Sequence, residues 1–351
     1  MTKHILITGG CGFVGHHFVE YFLKETDWRI SVFDKLTYAS NGFDRLRDIN
    51  VYDDDRVTVF TPDITQEIPT GVRRELHDVN YICHLAAETH VDNSITDPMC
   101  FVMSNVVGTA RMLEFARTLD LAAFHYFSTD EIFGPARMQD DIEIADGLTR
   151  CSKYTYREWD RYDSTNPYSA TKAGGEELCL AYANTYNLPL FITHTMNCFG
   201  ERQHTEKFIQ LVINAVLDGK TVQIHSDSTG QVSGTRYYIH CRNVANAVHH
   251  LMDKFDQREK YNIVGEQEVS NLELALMIAD IMGKELKYEM VDFHSSRPGH
   301  DLRYSLDGTK MDLLGWKPPL SFEKSLESTV NWMLANPKWL SVTEPQVFKF
   351  G

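Results

Sequence analysis

Short apolar runs alternate with amphipathic segments of helical period along the N-terminal part of the chain. The runs predict buried strands at Ile5–Thr8, Ile30–Asp34, Val57–Thr61, Tyr81–Leu85, Phe124–Ser128 and Leu190–Thr195. The segments between them predict helices, among them Gly15–Glu25, Cys100–Thr118 and Tyr168–Tyr186. Such alternation is typical of a parallel sheet covered by helices on both faces. We therefore predict an α/β fold with a doubly wound parallel sheet.

The chain after about Cys198 has a less regular pattern, with long loops at 226–234 and 294–301. Open α/β sheets bind ligands at the carboxyl ends of their strands, and a smaller α/β lobe at that edge fits the pattern. We predict one domain over residues 1–197, with a returning segment at about 235–258. A discontinuous ligand-binding lobe is predicted over 198–234 and 259–351.

A glycine-rich turn follows the first predicted strand and opens the first predicted helix. Gly9, Gly12 and Gly15 give the spacing GxxGxxG, with Phe13 and Val14 inside it. Glycine lets the backbone approach a pyrophosphate closely, and the helix N-terminus adds oriented N–H donors and a positive dipole end. A plain tight turn is the alternative. The strand before it and the helix after it favour a dinucleotide site in a Rossmann-type sheet.

Acidic residues follow the second and third predicted strands. Asp34 comes nineteen residues after Gly15, where a carboxylate can accept hydrogen bonds from both ribose hydroxyls. A carboxylate there repels a 2′-phosphate, which favours NAD over NADP, although the adjacent Lys35 leaves NADP open. Asp63 and Ile64 are placed to meet the adenine. A solvated Asp at a strand end is the alternative for Asp63.

Tyr168 and Lys172 form a Tyr-xxx-Lys pair on one face of a predicted helix that Asn166-Pro167 begins. The pKa of a tyrosine is about 10, so the phenol is a poor base near neutral pH. We predict that the Lys172 ammonium and a nicotinamide cation together favour the phenolate. An exposed Tyr–Lys pair is the alternative, and the dinucleotide motif upstream favours the catalytic interpretation.

Thr129, Asp130 and Glu131 close the fifth apolar run, at the carboxyl end of a predicted strand. A hydroxyl and two adjacent carboxylates there would lie beside a bound substrate. Adjacent carboxylates divide acid and base roles when their surroundings push their pKa values apart. A helix cap is the alternative, with Thr129 or Asp130 accepting from backbone N–H groups.

Net charge and cysteine content exclude several classes of protein. Lys and Arg number 34 and Asp and Glu 49, a net charge of −15 over 351 residues. So acidic a surface is unsuited to nucleic acid or an anionic membrane, and no apolar run of about eighteen residues predicts a membrane span. Seven cysteines without a CxxC pair argue against zinc and against a disulfide framework, so we predict no metal. With no signal peptide visible, we predict a cytoplasmic protein.

Six segments carry a family resemblance, and they are, in order, Thr8–Gly15, Asp34–Ala39, His84–Asp92, Ser128–Gly134, Tyr168–Lys172 and Arg297–Asp301. Together they resemble the dTDP-glucose 4,6-dehydratases of the extended short-chain dehydrogenase/reductase family. The match extends from the N-terminus through Leu314–Pro318. The Thr-Asp-Glu triplet is its narrowest motif, because related epimerases and decarboxylases usually carry Ser or Thr without the Asp-Glu pair.

The resemblance implies a redox-neutral dehydration with a retained NAD. Tyr168, tuned by Lys172, removes the proton of the sugar 4-hydroxyl while hydride passes from C4 to NAD, and Thr129 hydrogen-bonds the same oxygen. The 4-ketone acidifies the C5 proton, which Glu131 removes. Asp130 protonates the departing 6-hydroxyl, and the hydride returns to C6. Oxidation must come first, because water cannot leave from C6 until C5 is acidified.

The resemblance also implies the binding residues. Leu85, Ala86 and Ala87 line the nicotinamide side, and Asn105 buttresses the site. The positions that match substrate-binding residues of the family are Thr89, Thr129, Asn197, Lys207, Arg236, Asn262, Arg297 and His300. A solvated surface charge is the alternative for each cation taken alone. A homodimer is expected, through helices near Cys100–Thr118 and Tyr168–Tyr186.

Departures from the family pattern cluster around the predicted sugar-nucleotide lobe. Arg-Tyr-Tyr at 236–238 replaces the family's Arg-Asp-Trp, Cys198 replaces an asparagine, Asn93 replaces an arginine, and the segment 149–163 is unusual. UDP- or GDP-linked hexoses, including N-acetylated ones, therefore stay open as substrates, as do a 4-epimerase and a decarboxylase of the same family. A non-catalytic NAD-binding sensor is the alternative from another class, which the complete set of catalytic residues disfavours.

Overall fold

The computed structural model describes residues 2–136, 154–292 and 303–341. Their strands are β1 (His4–Thr8), β2 (Arg29–Phe33), β3 (Val57–Phe60), β4 (Tyr81–His84), β5 (Ala123–Thr129), β6 (Leu190–Thr195), β7 (Asn197–Phe199), β8 (Val222–Ser226), β9 (Thr235–His240), β10 (Glu259–Ile263), β11 (Glu268–Ser270) and β12 (Tyr288–Asp292). Seven of them form a parallel sheet in the order β3–β2–β1–β4–β5–β6–β10. The order reverses between β1 and β4, which is where open α/β sheets form a binding crevice.

The described α-helices are α1 (Phe13–Glu25), α2 (Asp44–Asp48), α3 (Thr70–Glu75), α4 (Val91–Thr96), α5 (Pro98–Phe101), α6 (Gly108–Ala116), α7 (Pro167–Tyr186), α8 (Phe208–Asp218), α9 (Cys241–Met252), α10 (Asn271–Ile281), α11 (Thr309–Leu313) and α12 (Phe322–Ala335). A π-helical turn covers Val102–Val107, and 3-10 turns cover Asp130–Phe133 and Pro337–Trp339. None of the described helices combines the length and the apolar content that crossing a bilayer requires.

The central sheet is buried on both faces, which explains why its strands read as continuous apolar runs. In β1, Ile5 and Ile7 join a core with helices α1 and α9, whereas Leu6 between them joins a core with α6 and α7. Side chains of a strand alternate between faces, so each strand contributes to both cores. The predicted α/β fold with a doubly wound parallel sheet is confirmed.

A second group of elements lies beyond β6. Strands β7, β9 and β11 form a three-stranded sheet, and β8 pairs with β12 in parallel. Helices α8, α10 and α12 share a separate core, with Val212, Leu274 and Leu326 among its fully buried members. This is the smaller α/β lobe that the sequence predicts.

Three predicted assignments differ from the structure. Glu259–Ile263, predicted in the smaller lobe, is the edge strand β10 of the central sheet, and Thr235–His240, predicted to return to the first domain, lies in the three-stranded sheet. Cys100–Thr118, predicted as one helix, is divided into α5, the π-helical turn and α6. Apolar periodicity identifies a strand but not its sheet. The division into two domains stays a prediction.

Candidate active site

The glycine turn between β1 and α1 is shaped by close backbone contacts. Gly9 has φ +73°, and a Cβ there would lie 3.0 Å from the backbone that follows β4. A Cβ at Gly15 would lie 2.0 Å from the Gly9 carbonyl oxygen, so neither position accepts a side chain. Gly12 is the N-cap of α1 and supplies no capping side chain, which leaves the first amides of α1, at Phe13 and Val14, without a side-chain partner. The turn therefore has the form of an anion-binding cradle.

Asp34 is fixed at the end of β2 beside this turn. Its Oδ2 accepts from the Cys11 amide at 3.0 Å and its Oδ1 from the Leu36 amide at 2.9 Å. Burial raises the pKa of Asp34, and the two amides act against that rise. Next to it, the Lys35 ammonium lies 4.0 Å from Asp63 Oδ2, so the charge of Lys35 has an acidic partner at the edge of the site.

The segment after β4 is held against the end of β1. The amides of Leu85 and Ala86 both donate to Thr8 Oγ1 at 3.1 Å, and Ala87 follows them half-buried. Ile64, predicted with Asp63 to meet the adenine, is only 6% exposed and belongs to the core. Its side chain therefore belongs to the core, an adenine could meet only its backbone, and the predicted contact stays a prediction.

Asn105 joins the loop after β4 to helix α7. Its Oδ1 accepts from the Glu88 amide at 2.9 Å, and its Nδ2 donates to the Glu88 carbonyl and to Thr171 Oγ1, each at 3.0 Å. The side chain is buried and its amide bonds bridge two elements, which is the buttressing arrangement expected of it. Thr89 follows Glu88 and is exposed.

Thr129, Asp130 and Glu131 lie at the carboxyl end of β5, at the entry to a 3-10 turn. Thr129 Oγ1 donates to Asp130 Oδ1 at 3.1 Å and accepts from the Glu131 amide at 3.3 Å. Glu131 Oε2 accepts from Asn166 Nδ2 at 3.3 Å. Asp130 Oδ2 is buried and has no hydrogen-bond partner among the described residues.

Both carboxyl groups are more basic than usual. Burial raises the pKa of Asp130 to about 6, with the Arg236 charge acting against the rise. Burial and then the Asp130 charge raise the pKa of Glu131 to about 7. With pKa values of about 6 and about 7, the two neighbouring carboxyls together hold about one proton between those pH values. The sequence left open which carboxyl has the higher pKa, and in the structure it is Glu131.

Tyr168 and Lys172 both lie buried on α7, and the tuning of the phenol by the ammonium stays a prediction. The Lys172 ammonium donates to the Phe127 carbonyl at 2.6 Å and lies 4.2 Å from the centre of the Tyr126 ring. Burial and then the Glu131 charge raise the pKa of Tyr168 above its usual range, and a hydrogen bond with Thr129 opposes that rise. Without a further cation, the phenol keeps its proton.

Two of the predicted substrate cations act on the carboxyl pair. The positive charges of Arg236 and Lys207 both lower the pKa of Glu131. Arg236 lies on β9 with its guanidinium 4.7 Å from the centre of the Tyr304 ring, and Lys207 is the N-cap of α8. Asn197 is exposed at the start of β7. The charges of Arg236 and Lys207 therefore act at the carboxyl end of β5, where the carboxyl pair lies.

Asn262 is a correction to the predicted site. It is fully buried on β10, its Oδ1 lies 2.8 Å from His194 Nδ1, and its Nδ2 donates to the Tyr156 and Asp307 carbonyls at 3.1 Å. No part of its amide is left for a substrate. Arg297 and His300 lie outside the described residues.

Sequence reasoning missed two residues of the site. Asn166 is the N-cap of α7 and also contacts Glu131, a role that its place before Pro167 did not reveal. Glu176 is a fully buried carboxylate four residues after Lys172. The spacing of four could have identified Glu176, because such residues share a helix face.

Comparison with known proteins agrees with this geometry. A family model described as GDP-mannose 4,6 dehydratase matches residues 6–329. The dTDP-glucose 4,6-dehydratase of Salmonella typhimurium is 36% identical over 96% of this chain and 94% of its own length. The dTDP-glucose 4,6-dehydratase 1 of Escherichia coli K12 is 35% identical over the same shares.

Solved structures give the same result. DesIV, a dTDP-glucose 4,6-dehydratase of Streptomyces venezuelae solved with NAD bound, superimposes with a TM-score of 0.82 at 33% identity, over 97% of this chain and all of that one. UDP-glucuronic acid 4-epimerase of Bacillus cereus, at 23% identity and a TM-score of 0.79, shares the fold. The resemblance found in the sequence is confirmed, and the chain belongs to the GDP-mannose 4,6-dehydratase family.

Proposed function

We propose that the chain is a nucleotide-diphosphate-hexose 4,6-dehydratase that converts dTDP-glucose to dTDP-4-keto-6-deoxyglucose and water with bound NAD. The observation that carries the proposal is the pair formed by the buried Asp130 and the half-buried Glu131 at the end of β5, beside the buried phenol of Tyr168. An epimerase needs one proton-transfer group at the 4-hydroxyl, whereas removal of water across C5 and C6 needs a base and an acid as well.

The residues around β1 and β2 fit NAD. The glycine turn leaves room and free amides for a pyrophosphate, and Asp34 is held where a ribose would approach. Because Lys35 is paired with Asp63, no uncompensated cation is offered there to a 2′-phosphate, which favours NAD over NADP. When bound, NAD⁺ supplies the hydride acceptor for C4, the donor for C6, and a positive charge beside the site.

We assign to Tyr168 the removal of the proton from the sugar 4-hydroxyl. Its pKa is raised by burial and by Glu131, so it is the group in the site that gains most from a nearby cation. Thr129, which contacts both Tyr168 and Asp130, is placed to orient the same hydroxyl. We assign to Lys172 a supporting role beneath Tyr168, because its ammonium donates to the Phe127 carbonyl of β5.

Asp130 and Glu131 are assigned the acid and base steps, Asp130 at the leaving 6-hydroxyl and Glu131 at C5. The partner-less Oδ2 of Asp130 supports its contact with a substrate hydroxyl, because a buried carboxylate oxygen without a partner is costly. Burial raises the pKa of both carboxyls into the range near neutral pH, so each of them can take up or release a proton there.

Lys207 and Arg236 are assigned to the substrate diphosphate. Their charges already reach Glu131, so an anion bound between them would lie next to the carboxyl pair. The thymidine nucleotide is inferred from the relatives named above, two of which are dTDP-glucose 4,6-dehydratases of 35–36% identity.

The proposal is tested by mass spectrometry of products from dTDP-, UDP-, GDP- and CDP-hexoses. We expect dTDP-glucose to lose one water without net reduction of NAD, and to do so faster than the other substrates. A C4 epimer, or CO₂ from a uronate, would instead establish an epimerase or a decarboxylase. NAD binding without turnover of any substrate would instead establish a non-catalytic NAD-binding sensor.

We infer further that the protein is a cytoplasmic homodimer. Exposed apolar side chains follow one another along α4, α5, the π-helical turn and α7, namely Ile95, Met99, Met103 and Tyr186. Such a patch favours an interface between two copies. The described cysteines are all unpaired, which supports a reducing compartment. Analytical ultracentrifugation should give twice the chain mass, and Met99→Lys should give the single mass.

A further inference from the structure

The side chain of Asn166 joins the turn that carries Glu131 to the helix that carries Tyr168. It is buried and lies at the N-cap of α7. Its Oδ1 accepts from the Ser169 amide at 2.9 Å, which is the capping bond that begins the helix. Its Nδ2 donates to Glu131 Oε2 at 3.3 Å. One amide group therefore serves two elements, each of which holds a residue of the candidate site.

The orientation of this amide is fixed by the capping bond. An N-cap side chain presents an oxygen to a backbone N–H of the first helical turn, so the amide oxygen of Asn166 faces Ser169 and its nitrogen faces the other way. The Ser169 hydroxyl accepts in return from the Asn166 backbone N–H at 3.3 Å. Because both bonds of this capping box are formed, Nδ2 of Asn166 is held toward Glu131.

Glu131 is held at two points. Its backbone amide donates to Thr129 Oγ1 at 3.3 Å, which fixes the start of the turn. Among the residues that the structure describes, Asn166 is the side chain that donates a hydrogen bond to the Glu131 carboxylate. Glu131 is half-buried, and its second oxygen, Oε1, takes no part in that bond. Fixing Oε2 therefore sets the direction in which Oε1 points.

The titratable and charged groups that face Glu131 come from four elements, and they are Asp130 on its own turn, Tyr168 on α7, Arg236 on β9 and Lys207 at the start of α8. Burial and then the Asp130 charge raise the pKa of Glu131. The Asn166 hydrogen bond acts against that rise, followed by the two cations, because an N–H donor favours the ionised carboxylate. Asn166 is neutral, so it acts on Glu131 through one directed bond and not through a charge.

Resting on the function proposed above, we propose that Asn166 is a positioning residue for the elimination step. By holding Oε2 of Glu131, its amide keeps Oε1 directed at the C5 proton of the bound sugar. Because the same amide caps α7, it also fixes Glu131 relative to the phenol of Tyr168. Oxidation at C4 and proton removal at C5 can then occur on a sugar bound in one position. The effect of Asn166 on the reaction passes through Glu131.

The variant Asn166→Ser separates the two bonds, since serine caps a helix as well as asparagine does but is too short to reach Glu131. Its melting temperature should stay within about 2 °C of the wild type. In a single turnover of dTDP-glucose, the absorbance of NADH rises as C4 is oxidised and falls after elimination. The rise should keep its rate within about twofold and the fall should slow about tenfold, because a displaced catalytic group loses rate steeply. With dTDP-glucose deuterated at C5, the slowed fall should show a larger isotope effect than in the wild type.

Two alanine variants are the controls for the loss of a helix cap. Asn166→Ala removes the cap and the contact with Glu131 together, so its NADH should fall as slowly as in Asn166→Ser, at a lower melting temperature. Ser321→Ala removes the side-chain cap of α12, a helix that carries no residue assigned to the site. It should lower the melting temperature and leave both phases unchanged. If serine at position 166 kept the wild-type rate of the fall and alanine did not, Asn166 would be a helix cap alone and the proposal would be overturned.

A titration of Glu131 tests the contact without any substrate. The pKa of Glu131, followed by ¹³C NMR of protein labelled in glutamate and identified with Glu131→Gln, should rise by about 0.5–1 pH unit in Asn166→Ser, because the ionised carboxylate loses a donor. It should not change in Ser321→Ala. An equal pKa in Asn166→Ser and the wild type would refute the proposal. If the wild type gave neither an NADH transient nor a 4-keto sugar, the proposed function would fail, and this titration would still decide whether Asn166 holds the Glu131 carboxylate.

Discussion

At the scale of single residues, the carboxyl pair shows what sequence can and cannot give. The triplet at 129–131 was identifiable because two acidic residues at a strand end are unusual in a buried setting. The proton that the pair shares was not, because pKa values depend on burial and on Arg236 from a distant strand. The same limit explains Asn262, whose partners come from three segments that no local pattern connects.

The raised pKa of Glu131 predicts a pH-dependent gain in stability for Glu131→Gln. The folded chain holds this proton up to a pH of about 7, whereas an unfolded chain releases it near the ordinary glutamate pKa of 4.5. Stability is therefore lost as pH rises between those values, and the neutral amide avoids the loss. We expect a melting temperature about 3 °C above the wild type at about pH 8 and an unchanged one at about pH 4.

Differential scanning fluorimetry across that range checks the prediction, together with a product assay in which Glu131→Gln should form no 4-keto sugar. If Glu131→Gln melted at the same temperature as the wild type at both ends of the pH range, the raised pKa of Glu131 would be contradicted. Full turnover would contradict the assignment of Glu131 as the base. Glu177→Gln, at an exposed carboxylate, should leave stability and turnover as they are.

The pair also predicts the pH dependence of the whole dehydration. One carboxyl must be ionised as base and the other protonated as acid, and this state is most populated between pKa values of about 6 and about 7. The plot of log kcat/KM against pH should therefore be bell-shaped, with its maximum in that interval. A profile that keeps rising to about pH 9 would exclude a shared proton.

At the scale of elements, helix α7 carries Tyr168 and Lys172 and is positioned by its contact with β5. Its length and start were predictable from the Asn-Pro signal and the apolar pattern, and the capping box at Asn166 and Ser169 explains the sharp start. Its close packing was not predictable, because Gly174 and Gly175 look equivalent in the sequence. Only the structure separates them.

Substitution by alanine is expected to have opposite effects on stability at Gly174 and Gly175. A Cβ at Gly175 would lie 2.3 Å from the Tyr126 hydroxyl and 2.7 Å from the Asn105 carbonyl, so α7 would have to move away from β5. A Cβ at Gly174 would lie 3.4 Å from Val106, an ordinary contact. We expect Gly175→Ala to lose about 2 kcal/mol of unfolding free energy and about tenfold in kcat. Gly174→Ala should gain about 0.5–1 kcal/mol through helix propensity.

Urea denaturation and steady-state kinetics on both variants measure these changes. Equal losses for the two alanines would mean that helix flexibility, and not contact with β5, sets the position of α7.

At the scale of the whole molecule, Arg45 links the glycine turn to the smaller lobe. Its buried guanidinium donates to the carbonyls of Cys11, Ala39 and Ser40 and, through Nε, to the Arg202 carbonyl at 3.0 Å. Periodicity predicted the α/β fold but not this link, because its acceptors are backbone oxygens that leave no pattern in the sequence. The strand β10 was not predictable either, because its sequence Glu-Lys-Tyr-Asn-Ile contains no apolar run.

Arg45→Met is expected to lower the free energy of unfolding by about 2–4 kcal/mol, because it leaves several buried carbonyls without a donor. The affinity for NAD should fall as well, since the Cys11 carbonyl lies within the glycine turn. Denaturation and NAD titration measure the two effects. Arg47→Met, at an exposed arginine of the same helix, should change neither by more than about 0.5 kcal/mol. If Arg45→Met changed stability and NAD affinity as little as Arg47→Met does, Arg45 would not link the glycine turn to the smaller lobe.

The position of β10 at the edge of the central sheet has a consequence for how the chain is made. Ribosomes release a polypeptide from its N-terminus, and β6 has its outer neighbour only after Glu259–Ile263 has emerged. Met311 and Trp316, which emerge later still, complete the core on one face of the sheet. Until then, the nascent sheet has an open edge at β6, which is a template for unwanted pairing. The central sheet is therefore completed only after strands β7, β8 and β9 of the smaller lobe have been synthesised.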